Sequence, residues 1–285
     1  MPLDLQADLP QLALEIVNVP SVSGNETALA DALEQSLRSC AHLTVWRNGD
    51  ALVARTELGH TQRAIIAGHL DTVPVANNLP GRLDSDELIG RGSVDMKAGV
   101  AVMAQLAAQL TRPKCDITWV FYDHEEVASN LSGLGRLIRC QPEWLLDADF
   151  GVLCEPTGGQ IEVGCNGSLR VALQTAGRRA HTARAWMGDN AIHRMAPHLL
   201  RLAELVMPTV TVNNFAYRES LQAVGVQGGV AGNVVPDTCT AQINYRFAPD
   251  KTPDQALTQL LAYLFPNELV DFGNDLSIGQ KISLS

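Results

Sequence analysis

An α/β architecture with a mostly parallel sheet, followed by a smaller α+β unit, is what this sequence predicts, on three observations. Apolar runs at 64–67, 117–122 and 150–154 read as strands, and helical segments lie between them. Each run ends directly in acidic or imidazole side chains, and in an open α/β sheet ligands gather outside the carboxyl ends of the strands. Near Cys165 the texture changes, and 168–175 alternates as a half-exposed strand should.

The elements follow in order. Residues 5–17 have helical spacing, and so do 27–37, where Ser23 or Asn25 is placed to cap the helix. Residues 43–54 read as strand, turn and strand, with Asn48-Gly49-Asp50 as the turn. A short buried strand spans 63–68, and 73–92 is loop, punctuated by Pro74, Pro80, Gly81, Gly90 and Gly92. Residues 98–110 are apolar almost all round, which predicts a buried helix. A strand at 116–123, a helix at 133–140 and a strand at 150–154 complete the first unit. The second unit reads as strand 168–175, helix 190–206 opened by Asp189 or Asn190, strands 221–226 and 239–247, and helix 252–264 opened by Thr252-Pro253-Asp254. From Pro266 onward the pattern fades.

Bulk properties narrow the function classes. At 285 residues the chain holds one large domain or two medium ones. A net charge of -10 argues against a nucleic-acid partner. No apolar run has the length of a membrane span. Residues 1–18 carry Asp4, Asp8 and Glu15 with no Lys or Arg, the wrong charge for a signal or transit peptide, so a cytoplasmic location is expected. The cysteines at 40, 115, 140, 154, 165 and 239 form no Cys-x-x-Cys pair, which predicts reduced thiols and no zinc–thiolate cluster.

Four strings carry the chemistry: Gly68-His69-Leu70-Asp71, Ser93-Val94-Asp95-Met96-Lys97, Asp123-His124-Glu125-Glu126 and Leu153-Cys154-Glu155-Pro156. His69 and Asp71, two apart on an extended segment, face the same way, so the carboxylate can fix the imidazole's tautomer. Asp95 follows a Gly-rich approach that lets backbone come close to a ligand. Glu125 and Glu126 are adjacent, diverge on an extended segment, and suit different jobs, one binding metal and one handling a proton. Proline holds Glu155 extended. Each has a bland reading: a turn-forming Asp, a helix cap, a solvated acidic pair, an aimed but idle Glu. Together, one imidazole and several carboxylates at strand ends form a nitrogen and oxygen ligand set suited to zinc or a neighbouring divalent ion, arranged for metal-assisted hydrolysis.

Gly68-His69-Leu70-Asp71-Thr72-Val73-Pro74, Gly90-Arg91-Gly92-Ser93-Val94-Asp95-Met96-Lys97-Ala98-Gly99, Glu125-Glu126 and Cys154-Glu155-Pro156-Thr157 resemble the signature series of the co-catalytic zinc aminoacylase/carboxypeptidase family. That family includes succinyl-diaminopimelate desuccinylase, acetylornithine deacetylase and peptidases. The resemblance runs to about Pro249. It implies a catalytic zinc-hydrolase domain over 1–166, an inserted α+β dimerisation domain over 167–268, and a short return toward the catalytic domain over 269–285. It also implies a small-molecule N-acyl amino acid substrate and a homodimer.

By position, the resemblance makes His69 and Glu155 ligands of one zinc, Asp95 the bridging carboxylate, and Glu126 a ligand of the second zinc. Asp71 orients His69, and Glu125 is the general base. In Gly177-Arg178-Arg179-Ala180-His181-Thr182-Ala183, His181 resembles the residue that reaches a partner's scissile carbonyl, with Arg178 nearby. Asn233 resembles a substrate-loop Asn, and Arg246 the Arg that meets a substrate carboxylate. The bland readings of these three are a surface His, a turn Asn and a salt-bridged Arg.

The nearest resemblance is to desuccinylases acting on N-succinyl-LL-2,6-diaminopimelate, with acetylornithine deacetylase or a related aminoacylase or dipeptidase as the alternative. Zinc is expected, two per subunit in the family, with cobalt as another candidate. Relatives supply one more His ligand near the C-terminus, whereas the last His here is His198. The expectation is therefore a C-terminally truncated chain with a weakened second zinc site, and a further alternative is an inactive dimerising remnant.

Overall fold

The computed structural model describes residues 2–140, 142–266 and 280–284. The chain divides into two compact units, Met1–Ile161 and Glu162–Ser285.

The first unit runs α1 (Leu9–Val17), α2 (Thr27–Arg38), β1 (Thr44–Asn48), β2 (Ala51–Arg55), β3 (Arg63–His69), β4 (Arg82–Asp84), β5 (Glu87–Ile89), α3 (Lys97–Gln109), β6 (Asp116–Tyr122), α4 (Gly133–Cys140), α5 (Pro142–Leu146) and β7 (Phe150–Leu153). Its five-stranded sheet has the order β1-β2-β6-β3-β7. The three strands β6, β3 and β7 are parallel, and the β1–β2 hairpin joins β6 antiparallel. The expected mostly parallel core is present, with an antiparallel edge.

Apolar runs fix this arrangement. All seven residues of β6 are buried, as befits a strand covered on both faces. On one face α1, α2 and α3 pack Leu12, Ile16, Leu29, Leu33, Met103 and Ala104 against Trp119 and Phe121. On the other, Val53, Ala67, Val120 and Tyr122 meet Leu137 of α4 and Leu145 of α5.

Three local expectations change. Residue Glu26, not Ser23 or Asn25, is the cap position of α2, and no side chain caps that helix. Helix α3 is buried along only part of its surface, because Val102 and Leu106 face outward. Strand β7 is exposed along its whole length, as an edge strand with Phe150, Val152 and Leu153 open. Within the 73–92 loop, β4 and β5 form a short hairpin.

The second unit runs β8 (Gly167–Ala176), β9 (Ala180–His181), α6 (Ala191–Glu204), β10 (Thr209–Val212), β11 (Phe215–Arg218), β12 (Ser220–Gly228), β13 (Val234–Val235), β14 (Thr238–Phe247), α7 (Pro253–Leu264) and β15 (Gln280–Leu284). Its main sheet, in the order β12-β14-β8-β15, is antiparallel throughout. Alternation along β14 sends Cys239, Ala241, Ile243, Tyr245 and Phe247 inward, where α6 and α7 cover them. The caps are encoded locally. Asn190 accepts from Ile192 and His193, and Thr252 and Gln255 form a capping box at α7. The expectation for 269–285 falls on residues that, apart from 280–284, lie outside those described. No helix among the described residues is long and apolar enough to cross a membrane.

Candidate metal centre

His69 ends β3 beside Tyr122, which ends β6, so two parallel strands deliver their last residues to the same edge. The imidazole is 1% exposed and Asp71 is wholly buried. His69 Nδ1 lies 2.9 Å from the Asp71 carbonyl oxygen and 3.5 Å from its carboxylate. That leaves Nε2 pointing at two carboxylates, Asp95 at 3.0 Å and Glu155 at 3.8 Å. A ring held at Nδ1 presents Nε2 as the ligand atom, the arrangement of a histidine that binds metal.

Asp71 does more than orient the ring. Its Oδ1 accepts the backbone N–H of Glu125 at 2.9 Å, and its Oδ2 accepts that of Glu126 at 3.0 Å and the Ser23 hydroxyl at 2.6 Å. Burial works against the charge, but His69 first, then these three bonds, outweigh it and hold the Asp71 carboxyl well below the usual carboxylate range. Burial pulls His69 the other way, but the Asp71 bond and the charges of Glu155 and Asp71 overcome it and lift its pKa to about 9.

The Glu125-Glu126 pair does not splay as an extended dipeptide would. His124 adopts a left-handed φ of 58°, which turns the chain just after β6. Both carboxylates thereby converge on His69, and ligand atoms of the three lie within 4.8 Å of one another. A second group of the same tightness is His69, Asp95 and Glu155. The crowding disfavours ionisation: burial first, then the charge of Asp95, raises the pKa of Glu126, and burial with the neighbouring carboxylates raises that of Glu155. A cluster of carboxylates that repel one another around a single imidazole nitrogen is a donor set that a divalent cation relieves. The residues fit zinc on donor type and spacing.

Several supporting residues are ones to which the sequence assigned no role. Glu26, fully buried, accepts the His124 backbone N–H at 3.2 Å. Asp123 accepts from His124 Nδ1 at 2.7 Å and pairs with Arg136 at 2.6 Å. Gly133 donates its N–H to the Asp123 carbonyl, and a Cβ there would lie 2.2 Å from an Asp123 carboxylate oxygen, so only glycine allows this approach. Gly99 is as constrained: a Cβ would lie 2.5 Å from the Cys154 carbonyl, next to Glu155. Lys97 is buried, donates to the Val19 carbonyl at 2.6 Å, and has its pKa lowered by burial to about 8.

The remaining candidate residues lie in the second unit. Strand β9 pairs with β13, which sets His181 opposite Val234, and Thr182 donates its N–H to the Asn233 carbonyl at 3.0 Å. His181 and Asn233 are thus brought together, both exposed. Arg246 lies on the open face of β14, and among the described residues it makes no ion pair. Arg178 is joined to Asp189 through backbone, while Arg179 pairs with Asp237 at 2.7 Å.

Comparison with known proteins places this geometry among relatives. The peptidase dimerisation domain matches residues 163–267, and peptidase family M28 matches 51–182. A Mycobacterium tuberculosis protein that carries the name succinyl-diaminopimelate desuccinylase DapE is 51% identical over 256 residues, spanning 90% of this chain and 72% of that protein. A Corynebacterium glutamicum succinyl-diaminopimelate desuccinylase is 42% identical over 267 residues, 92% of this chain and 72% of its own length. Among solved structures, an M20 family metallo-carboxypeptidase from Sulfolobus solfataricus shares the fold with a TM-score of 0.68 at 15% identity, covering 92% of this chain and 76% of that one.

Proposed function

The chain belongs to the M20 family of metal-dependent amidohydrolases that includes the succinyl-diaminopimelate desuccinylases, and from that premise we propose that it hydrolyses N-succinyl-LL-2,6-diaminopimelate to succinate and LL-2,6-diaminopimelate. The observation that carries the reading is the convergence of His69, Asp95, Glu125, Glu126 and Glu155 at one end of the parallel strands. His69, Asp95 and Glu155 would hold one zinc, with Asp95 and Glu126 turned to a second. When bound, zinc supplies Lewis acidity toward the amide carbonyl and lowers the pKa of water.

The chain's own residues do the rest. Glu125 takes a proton from the attacking water as the new carbon–oxygen bond forms. It returns that proton to the diaminopimelate nitrogen as the carbon–nitrogen bond breaks. Its backbone N–H is fixed by Asp71, so the carboxylate is aimed before substrate arrives. In the proposed homodimer His181 would serve the other subunit's site, as a donor to the scissile carbonyl oxygen, with Asn233 as a substrate-loop donor and Arg178 adding positive field. Arg246 offers a planar fork to a substrate carboxylate. This unit also supports a homodimer, because β12 is an edge strand with Val224 and Val226 exposed. A biosynthetic hydrolysis of this kind belongs to the cytoplasm.

The test is amine release by the zinc-loaded protein from N-succinyl-LL-2,6-diaminopimelate against N-acetylornithine. The reading expects a higher kcat/KM for the succinylated substrate. Preference for N-acetylornithine would overturn it in favour of a deacetylase.

A further inference from the structure

Arg55, the last residue of β2, is a buried cation with no counter-ion in contact. It is 7% exposed, and among the described residues its side chain makes no hydrogen bond and no ion pair. Its Nε is sealed from solvent without a partner. Its guanidinium lies 4.9 Å over the Trp144 ring, which in turn meets Trp46 edge-on at 6.2 Å. A ring face attracts a cation but accepts no conventional hydrogen bond, so the buried Nε–H stays unmet while the Nη groups are not sealed in. Buried polar groups are hydrogen-bonded in nearly all folded proteins, and an exception needs an explanation.

The charges around Arg55 sharpen the anomaly. Arg55 stands opposite Thr118 of β6, and Thr118 stands opposite Ile65 of β3, two residues on from Arg63. All lie on the face covered by α5, because alternation puts Arg55, Thr118 and Arg63 on the side of Val53, Val120 and Ile65. Arg63 Nη1 donates to the Thr118 hydroxyl at 3.3 Å and to the Thr56 carbonyl at 3.1 Å. After burial, the strongest influence on Arg55 is the like charge of Arg63. Glu57, Asp147 and Asp116 act on it only from beyond contact. Asp116 is already committed to Thr56, Leu58 and His60, and it is Arg63, not Arg55, that it meets, at 3.9 Å.

We infer that Arg55, with Arg63 beside it and Trp144 beneath it, binds a small carboxylate anion at a site separate from the metal centre. A guanidinium donates to a carboxylate through two parallel N–H groups, Nε and one Nη, which gives Nε its missing acceptor. The three acidic residues nearby favour a monoanion over a phosphate dianion. Arg55 is level with Ile65 of β3, four residues or about 13 Å along the strand from His69, and two strands across from it.

Trp144 makes the site visible. The experiment titrates the full purified chain with sodium acetate at constant ionic strength, balanced with sodium chloride, and follows tryptophan emission. The expected result is a saturable change in the millimolar range that disappears in Arg55→Gln. Arg55→Lys, which keeps the charge and loses the fork, raises the half-saturation concentration by at least ~10-fold, and it carries the test if Arg55→Gln does not fold. Trp144→Phe loses the emission change but keeps acetate binding by calorimetry. No saturable change in the wild type, or an equal change in the Arg55 variants, would overturn the site. Inorganic phosphate competing at lower concentration than acetate would overturn the carboxylate assignment.

Discussion

Replacing Asp71 by Asn keeps the size of a fully buried side chain and removes one acceptor oxygen. In the native carboxylate, Oδ1 receives the Glu125 N–H while Oδ2 receives the Glu126 N–H and the Ser23 hydroxyl. Whichever way the new amide is turned, its NH2 group faces one of the two backbone donors. One charge-assisted hydrogen bond, worth ~1.5–3 kcal/mol, is lost, and the others fall to the neutral range of ~0.5–1.5 kcal/mol. A net loss of about 2–4 kcal/mol falls on the segment that carries the proposed base. At 1.36 kcal/mol per factor of ten, kcat/KM drops about 30- to 900-fold if that loss is felt in the transition state. The assay is steady-state hydrolysis with zinc content and thermal unfolding measured on the same preparation. A folded, zinc-loaded Asp71→Asn protein within threefold of wild type would refute the role given to Asp71.

Glu125→Gln removes the proposed proton carrier and should cost ~10²–10⁴-fold in rate while zinc content by metal analysis stays unchanged. Arg246→Lys should raise KM for a succinylated, multiply charged substrate far more than for a neutral acyl amino acid, and equal effects would leave Arg246 a structural role. Burial works against the Asp116 carboxylate, but bonds from Leu58, Thr56 and His60 outweigh it and hold its pKa below the usual range. A lowered folded pKa gives stability that is present above the ordinary aspartate value, ~3.9, and lost as pH falls through the folded one. Asp116→Asn should therefore cost about 2–3 kcal/mol at pH 7 by denaturant unfolding, with the gap to wild type narrowing toward pH 3.

What the sequence made legible was whatever depends on short spacing. The apolar runs located the parallel strands, and the two-residue step from His69 to Asp71 set imidazole and carboxylate side by side. The convergence of Glu125 and Glu126 was not legible, because it depends on the left-handed turn at His124, whose N–H is held by Glu26 98 residues earlier in the chain. Ser23 has the look of a helix cap, yet its hydroxyl is spent on Asp71, 48 residues away. The openness of β7 was hidden as well, since an apolar run reads alike in an edge strand and a central one. Local pattern reports which face a residue takes; long-range hydrogen bonds decide what it meets there.

Zinc stoichiometry tests the central claim most directly. His69 Nδ1 is occupied by Asp71, so one imidazole nitrogen serves the whole cluster, and among the described residues a second ion would have carboxylates alone. Equilibrium dialysis against zinc, followed by metal analysis, should find about one tightly held ion per chain in the wild type and none in His69→Ala. A zinc content that His69→Ala leaves unchanged, or two ions held equally tightly, would contradict this metal centre.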